Sequence, residues 1–359
     1  MELYIGLDVH KRYTIAVATD MQGRVIRRDR IEHGNNVAQA AWAGYFSVLG
    51  GRPRAALEAT GVSYAVLEAI EPFCESVVMS NPVRTRLIAE QTVKTDKVDA
   101  KALADLLRAN FLPTVHTMPR AIRDQRELLR HRVSLVYVQT GLKNRIHGLL
   151  TRCGLQFEGT DLYGKAGREY LTRLDLRPIH REELDRFLRL LDGIAGEIKA
   201  LTRRIQAEVE VCPEALRLAT IPGIGKYLAA LVYWEIGEVG RFMSPSRLVG
   251  YCGLGPRVHS SGGRTVHGPI SKAGNKFLRW ALVEASQKYG SRPGPIGEFY
   301  RRVKLKKGSK SARVAVARKL ATIIWHMMSK REDFNESKIR EDRQRQRFRM
   351  GQPEKFLAA

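Results

Sequence analysis

The chain has 359 residues, with 61 lysines and arginines against 37 aspartates and glutamates, which gives a formal net charge of +24. This length allows two or three domains, and the excess of cations favours a polyanionic partner, most commonly nucleic acid. No apolar run approaches the length of a membrane span, and the start of the chain lacks the basic and apolar regions of a signal peptide. These features argue against a membrane protein and predict a soluble, cytoplasmic one.

The cysteines are scattered along the chain, at Cys74, Cys153, Cys212 and Cys252. None has the spacing of zinc ligands, so we expect isolated reduced thiols and no zinc site.

The first hundred residues alternate between strand-like and helix-like patterns. Apolar or β-branched runs at Leu3–Leu7 and Thr14–Thr19, and an alternating run at Arg24–Ile31, predict three strands in a meander. The next predicted elements are a helix over Ala38–Leu49, a strand that ends at Glu58, a helix over Tyr64–Phe73 and a strand at Ser76–Met79. This order matches a ribonuclease-H-like mixed sheet with flanking helices, although the periodicity alone indicates only an α/β domain.

Beyond about residue 115 the strand patterns end and helical patterns take over. One predicted helix carries leucines every seven residues, at Leu128, Leu135, Leu142 and Leu149. A second carries apolar residues at alternating spacings of four and three, at Phe187, Leu191, Ile194, Ile198, Leu201 and Ile205. This is the pattern of a coiled-coil seam. We expect an antiparallel helical hairpin or a dimerising coiled coil, and ordinary core packing is the alternative explanation.

These patterns divide the chain into four predicted regions. An α/β domain with acidic site residues covers residues 1–115, and a helical, coiled-coil region covers 116–212. A mostly α-helical C-terminal domain covers 213–330, and a charged tail with little to bury covers 331–359.

Four carboxylates are the strongest local signal. Asp8 and Glu58 each close an apolar, strand-like run, and Asp96 and Asp99 share one face of a predicted helix. Singly, each has an ordinary alternative as a helix cap, a dipole partner or a surface ion pair. Together they predict a Mg²⁺ site for phosphodiester chemistry, since Mg²⁺ prefers oxygen ligands.

A glycine-containing turn, Thr220–Lys226, resembles a helix-hairpin-helix element. Gly223 and Gly225 let the backbone turn tightly and present N–H groups to a phosphate, with Lys226 beside them. The alternative is a helix–helix turn without a ligand.

A second glycine-rich segment, Gly253–Arg264, contains adjacent serines between Arg257 and Arg264. A serine hydroxyl in such a flexible loop could attack a phosphodiester while the arginines offset its charge, although Ser-Ser-Gly-Gly is more often a simple turn.

Further cations follow in the C-terminal region. Ser271 is a candidate N-cap for a helix whose Lys272, Lys276 and Arg279 could track phosphates. The basic run Arg301–Lys307 predicts either affinity for nucleic acid without sequence specificity or a solvated face.

Several of these motifs together resemble a known family. The motifs Gly6–Lys11, Glu58–Gly61 and Lys94–Ala100 resemble the RuvC-like domain of the DEDD transposases encoded by insertion sequences of the one-ten family (IS110). The resemblance continues into the C-terminal transposase domain of that family through Ile221–Gly225, Gly253–Pro256, Ser261-Gly262 and Ser271–Gly274. It covers nearly the whole chain in the right order, apart from the tail.

The resemblance implies roles for particular residues. Asp8, Glu58, Asp96 and Asp99 match the family's acidic tetrad, which binds Mg²⁺, and Ser261, rather than Ser260, matches its nucleophile. It further implies a covalent phosphoserine–DNA intermediate and a noncoding bridge RNA that pairs with donor and target DNA. Dimers and tetramers are also implied, with the acidic and serine halves of one site on different protomers and the nucleoid of a prokaryote as the place of action.

Two alternatives remain open at this point. The chain could be a RuvC-like, metal-dependent endonuclease or junction resolvase in which water is the nucleophile and Ser261 is a turn residue. It could also be a nucleic-acid-binding protein whose carboxylates are structural.

Overall fold

The computed structural model describes residues 2–34, 39–88, 96–261 and 263–338. The chain divides into two compact units, Met1–Met118 and Pro119–Ala359.

The first unit is built on one six-stranded mixed sheet. Its strands are β1 Tyr4–Val9, β2 Tyr13–Thr19, β3 Val25–Glu32, β4 Arg54–Glu58, β5 Ser76–Ser80 and β6 Thr114–Val115. Their spatial order is β3-β2-β1-β4-β5-β6. The first three strands form the predicted antiparallel meander, β4 and β5 continue parallel to β1, and β6 closes the edge antiparallel to β5. The mixed sheet is confirmed, and the two-residue β6 is an addition to the predicted strands.

The described helices of this unit are α1 Gln39–Ser47, α2 Ser63–Ile70, α3 Pro82–Ile88 and α4 Asp96–Arg108, and of these α1, α2 and α4 pack side chains against the sheet. Side chains alternate between the two faces of a strand, so β1 contributes to two separate cores. Leu3, Ile5 and Leu7 pack in the core that contains Trp42 of α1. Tyr4 on the opposite face packs in a core with side chains of α4. Asp8 follows Tyr4 by an even number of residues in β1, so it lies on the same face of the sheet as Tyr4, the face that packs against α4.

The second unit is mainly helical. Its helices are α5 Arg120–Arg152, α6 Lys165–Arg173, α7 Pro178–Glu210, α8 Pro213–Ala219, α9 Lys226–Ile236, α10 Pro245–Tyr251, α11 Lys276–Ser286 and α12 Pro295–Lys330. Proline occupies the first position of α7, α8, α10 and α12, where its missing N–H would have no partner within the helix. Across the described ranges, no helix is long and apolar enough to cross a membrane.

The long helices α5 and α7 form an antiparallel pair. Arg132 of α5 donates to Thr202 of α7 at 2.7 Å, whereas Arg152, further along α5, donates to Glu183, earlier in α7. The predicted seam supplies part of the packing, since Leu142, Leu149 and Leu191 are buried in one cluster. An antiparallel hairpin within the chain was one of the two predicted arrangements, and a coiled coil between protomers stays a prediction.

The expectation that strands end near residue 115 is wrong. β7 Pro256–Ser261 and β8 Arg264–Ile270 form an antiparallel hairpin in the second unit, with Ser261 paired to Arg264. Gly263 in the connection has a φ of +76°, which favours glycine and allows a tight turn. The segment expected to be a flexible glycine-rich loop is therefore a strand–turn–strand element.

Candidate active site and nucleic-acid interface

Asp8 and Glu58 lie at the same end of two neighbouring parallel strands. Leu7 and Leu57 are paired in the register of β1 and β4, and each carboxylate follows directly after its leucine. This placement follows from the parallel pairing, because strands that run in the same direction end at the same edge.

Gly6 allows α4 to approach β1. A Cβ atom at Gly6 would lie 2.6 Å from the backbone N of Ala104 and closer still to the carbonyl oxygen of Ala100. Ordinary contacts between heavy atoms are about 3.5 Å or longer, so only glycine permits this spacing. The close approach sets α4, which begins with Asp96, against the strand that carries Asp8.

His10 connects the carboxylates of β1 and α4. Its Nε2 atom lies 3.0 Å from Oδ2 of Asp8 and 3.2 Å from Oδ2 of Asp96. The hydroxyl of Tyr13 donates to the same oxygen of Asp96 at 3.0 Å. The guanidinium carbon of Arg30 lies 3.7 Å from the centroid of the Tyr13 ring, a cation–π contact that helps to hold the ring. One ligand atom from each of Asp8, His10 and Asp96 falls within 4.8 Å of the other two.

The electrostatics of this cluster favour a bound cation. Burial raises the pKa of Asp8, His10 opposes that shift, and the nearby charges of Asp96 and Asp99 add to it. The pKa of Tyr13 is also raised, first by its hydrogen bond to Asp96. Carboxylates brought together against mutual repulsion are a donor set that a hard divalent cation fits.

The predicted tetrad is placed as follows. Asp8 and Asp96 share the His10 cluster, and Asp99 lies one helical turn after Asp96, close enough for its charge to act on Asp8. In the part of the chain that the structure describes, Glu58 and Asp99 are outside the three-residue group. Asp96 is the first residue of α4, and Thr95 before it, which by residue type could also cap that helix, is outside the described residues.

Sequence reasoning missed His10 and Tyr13 as site residues. The signal for His10 was its spacing, because residues 8 and 10 of an extended segment project to the same side. No comparable signal marked Tyr13, which reaches Asp96 only through the pairing of β1 with β2.

Ser261 lies at the end of β7, beside the turn of the hairpin, and is exposed. Its neighbour Ser260 is also exposed and shares a hydrogen bond of 3.1 Å with Thr265 across the hairpin. Arg257 is exposed on β7, and Arg264 begins β8. An exposed hydroxyl at the tip of a hairpin is accessible to a large substrate such as DNA.

The glycine-containing turn joins α8 to α9. Gly223 has a φ of +92°, and a Cβ there would lie 2.6 Å from the carbonyl oxygen of Ala285. Gly225 is the N-cap of α9 and has no side chain to occupy the first N–H groups of that helix. Lys226 forms an ion pair with Glu210 at 2.6 Å, which lowers the pKa of Glu210. A phosphate at this helix end would compete with Glu210 for Lys226.

The expectation that Ser271 caps the next helix is wrong. Asn275 is the N-cap of α11, and its side chain accepts hydrogen bonds from the N–H groups of residues 277 and 278. Lys272 is exposed and has a φ of +54°, so the chain turns before the helix begins. Lys276 is the first residue of α11. Arg279 donates to the carbonyl oxygens of residues 252 and 272 at 3.2 Å and 3.1 Å, which ties it to this loop.

A buried carboxylate supports this loop, and sequence reasoning missed it. Glu235 of α9 is fully buried, and its oxygens lie 2.9 Å from Arg126 and 2.8 Å from Arg130, both on α5. The amide of Asn275 donates to Glu235 at 2.7 Å. Glu235 therefore links α5 to the cap of α11 through one network.

Comparisons with known families match both parts of the chain. A model described as Transposase, of the DEDD type found in IS110 elements, covers residues 5–154. A model described as Transposase IS116/IS110/IS902 family covers residues 215–301. With these matches, the α/β unit with its acidic cluster and the helical unit with its serine hairpin define a transposase of an insertion sequence. The chain belongs to the IS116/IS110/IS902 family of transposases.

Individual relatives agree with this assignment. The transposase for insertion sequence element IS1111A of Coxiella burnetii is 26% identical over 354 residues, which cover 92% of this chain and 90% of the relative. The transposase for insertion sequence element IS1328 of Yersinia enterocolitica is 27% identical over 284 residues, 75% of this chain and 82% of the relative. The pilin gene-inverting protein of Moraxella bovis is 34% identical over 150 residues, 39% of this chain and 46% of the relative. Transposases act on DNA, and the DEDD domain indicates use of a divalent metal.

Proposed function

We propose that this transposase cuts and rejoins donor and target DNA through a covalent link to Ser261, with Mg²⁺ held by Asp8, Glu58, Asp96 and Asp99. The observation that carries the proposal is the convergence of Asp8, His10 and Asp96 within 4.8 Å at the edge of the sheet. The strand order, a meander followed by parallel strands, supports a RuvC-like domain in which this edge is the metal site.

In this mechanism the oxygen of Ser261 bonds to phosphorus while the bond from phosphorus to one deoxyribose oxygen breaks. The proton that the serine releases balances the proton that the departing oxygen takes up. A hydroxyl of the other DNA strand then attacks the phosphoserine, which releases the serine and joins the strands. A bound Mg²⁺ supplies polarisation of the phosphate, and the exposed Arg257 is placed on the same hairpin to offset phosphate charge.

The remaining cations named from the sequence would hold nucleic acid backbone. We assign phosphate contacts to the turn before α9, with Gly223, Gly225 and Lys226, and to the basic residues in and after the hairpin, namely Arg257, Arg264, Lys272, Lys276 and Arg279. Arg279 would contribute mainly by holding the loop that presents Lys272.

The resemblance to IS110 transposases extends the proposal to partners. A noncoding bridge RNA would select donor and target DNA by base pairing, and the net charge of +24 suits a protein that holds both nucleic acids. Dimers and tetramers would assemble the acidic half of a site from one protomer and the serine half from another, at the nucleoid of a prokaryote.

A metal-dependent endonuclease or resolvase that uses water is the rival function. The relative named as a pilin gene-inverting protein favours rejoining over cutting alone, because an inversion requires strands to be resealed.

The test compares Ser261→Ala with Ser260→Ala, a matched change at the exposed neighbouring hydroxyl. We expect a denaturation-resistant protein–DNA adduct from wild type and Ser260→Ala, and none from Ser261→Ala. Mg²⁺-dependent cleavage by Ser261→Ala at the wild-type rate would establish the rival. Asp8→Ala should abolish strand exchange and leave DNA binding intact.

A further inference from the structure

A groove of about 790 Å³ lies between the base of the serine hairpin and α12. We call it the α12 groove. Its lining includes the apolar side chains of Leu254, Ile270, Val303 and Val314. A contiguous apolar patch that solvent can reach often marks the binding site of another molecule.

Four cations line the same groove, the half-buried Lys319 and three others. Lys307, Lys310 and Arg318 are exposed, and within the described ranges no acidic residue is among the residues that line the groove. None of the ion pairs between described side chains includes these three residues. Their charges are therefore available to an anionic partner.

A break in α12 puts cations on both sides of one bend. Gly308 has a φ of +78° and a ψ of 170°, which is not helical, and Lys307 and Lys310 flank it. This backbone region is accessible almost only to glycine, so the bend is built into the sequence.

The groove is close to the proposed nucleophile along the same hairpin. Gly268 of β8 lines the groove, and it lies four residues after Arg264, the residue paired with Ser261. Four residues of antiparallel strand span about 14 Å, which is a distance of a few nucleotides.

We propose that the α12 groove binds an unpaired nucleic-acid segment adjacent to the phosphate that Ser261 attacks. Phosphates would contact Lys307, Lys310 and Arg318, and sugar and base faces would lie on the apolar lining. A duplex hides its base faces, so the apolar lining favours a single strand. A second copy of the chain is disfavoured as the occupant of this particular groove, because the described lining carries cations without a carboxylate and a chain with a formal charge of +24 would bring like charge to it. The claim that the groove holds nucleic acid next to the phosphate attacked by Ser261 rests on the proposed function. The affinity of the groove for a single strand is independent of that function.

The test uses the full chain and a fluorescein-labelled single strand in anisotropy titrations, with the same sequence as a duplex for comparison. The groove variant is Lys307→Ala with Lys310→Ala. The matched control is Lys304→Ala with Lys306→Ala, which removes the same charge from exposed positions of α12 that do not line the groove.

We expect the groove variant to lose about tenfold or more in single-strand affinity, with the slope of log K against log salt reduced by about 1.4, at roughly 0.7 per phosphate contact. The control should lose less than about threefold. Ser311→Trp, at an exposed position that lines the groove, should weaken single-strand binding without changing charge.

Equal losses in the groove and control variants would overturn the proposal, as would tighter binding of the duplex than of the single strand by wild type. A change in oligomeric state of Ser311→Trp by light scattering, with unchanged strand affinity, would show that a second copy occupies the groove. Measuring the protein–DNA adduct distinguishes a failure of this proposal from a failure of the proposed function. The groove variant should still form the Ser261 adduct at saturating DNA, whereas failure of wild type to form it would refute the chemistry and leave the binding result intact.

Discussion

Replacing Gly6 with alanine should disrupt the metal site, although Gly6 supplies none of the ligands. In Gly6→Ala the new Cβ would lie 2.6 Å from the backbone N of Ala104, about 0.9 Å short of an ordinary contact of about 3.5 Å, and the clash with Ala100 is worse. Both partners are backbone atoms, so α4 must move away from β1. Metal ligands tolerate shifts of only about 0.2 Å, so Asp96 and Asp99 would leave their positions relative to Asp8.

The expected cost in the free energy of unfolding is about 1–3 kcal/mol, measured by urea denaturation. Titration with Mn²⁺, followed by the electron paramagnetic resonance of the free ion, should show at least tenfold weaker binding. Gly44→Ala is the matched control, because it adds the same methyl group to the same unit, in α1, with nothing within 4 Å. It should raise stability by about 0.5–1 kcal/mol and leave Mn²⁺ affinity unchanged. Wild-type Mn²⁺ affinity in Gly6→Ala would show that the close approach of α4 to β1 does not position the metal ligands.

Three further outcomes test other parts of the structure. Glu235→Ala should lower the free energy of unfolding by about 1–3 kcal/mol in urea denaturation, because Arg126, Arg130 and Asn275 lose their shared hydrogen-bond acceptor, and a loss below about 0.5 kcal/mol would contradict this. Without divalent metal, Asp8→Asn should be more stable than wild type at neutral pH, since the raised pKa of Asp8 makes wild-type stability fall as pH rises through that pKa. Adding Mg²⁺ should stabilise wild type and not Asp8→Asn in thermal unfolding, and an equal response of both would be evidence against the site. Ile198→Asp with Leu201→Asp should reduce self-association in sedimentation if α7 helps hold protomers together, and unchanged sedimentation would exclude that role.

The parts of the fold that sequence could predict depend on local periodicity. The strands of the first unit and the strand-end positions of Asp8 and Glu58 follow from short apolar runs and from the rule that parallel strands end at one edge. The antiparallel pair of long helices follows from a repeat that continues over many turns. These signals do not depend on distant contacts.

The parts that sequence could not predict depend on contacts between distant segments. The close approach at Gly6 involves residues almost a hundred positions later, and the buried Glu235 is explained only by arginines on another helix. The β7–β8 hairpin was missed because its two glycines suggested a loop more strongly than its short alternating strands suggested pairing. Ser271 has a suitable side chain for a cap, but the turn at Lys272, which leaves no periodic signal in the sequence, moves the start of the helix to Asn275.

The most direct test of the central claim is to locate the DNA-linked residue by mass spectrometry. Trypsin cleaves after Arg257 and Arg264, so the peptide Val258–Arg264 isolates both serines of the hairpin. After a reaction with donor DNA is stopped with denaturant and digested with nuclease, we expect a residual nucleotide on this peptide, with fragmentation that assigns it to Ser261. An unmodified peptide from protein that denaturation has trapped covalently linked to DNA, or a nucleotide on Ser260, would contradict it.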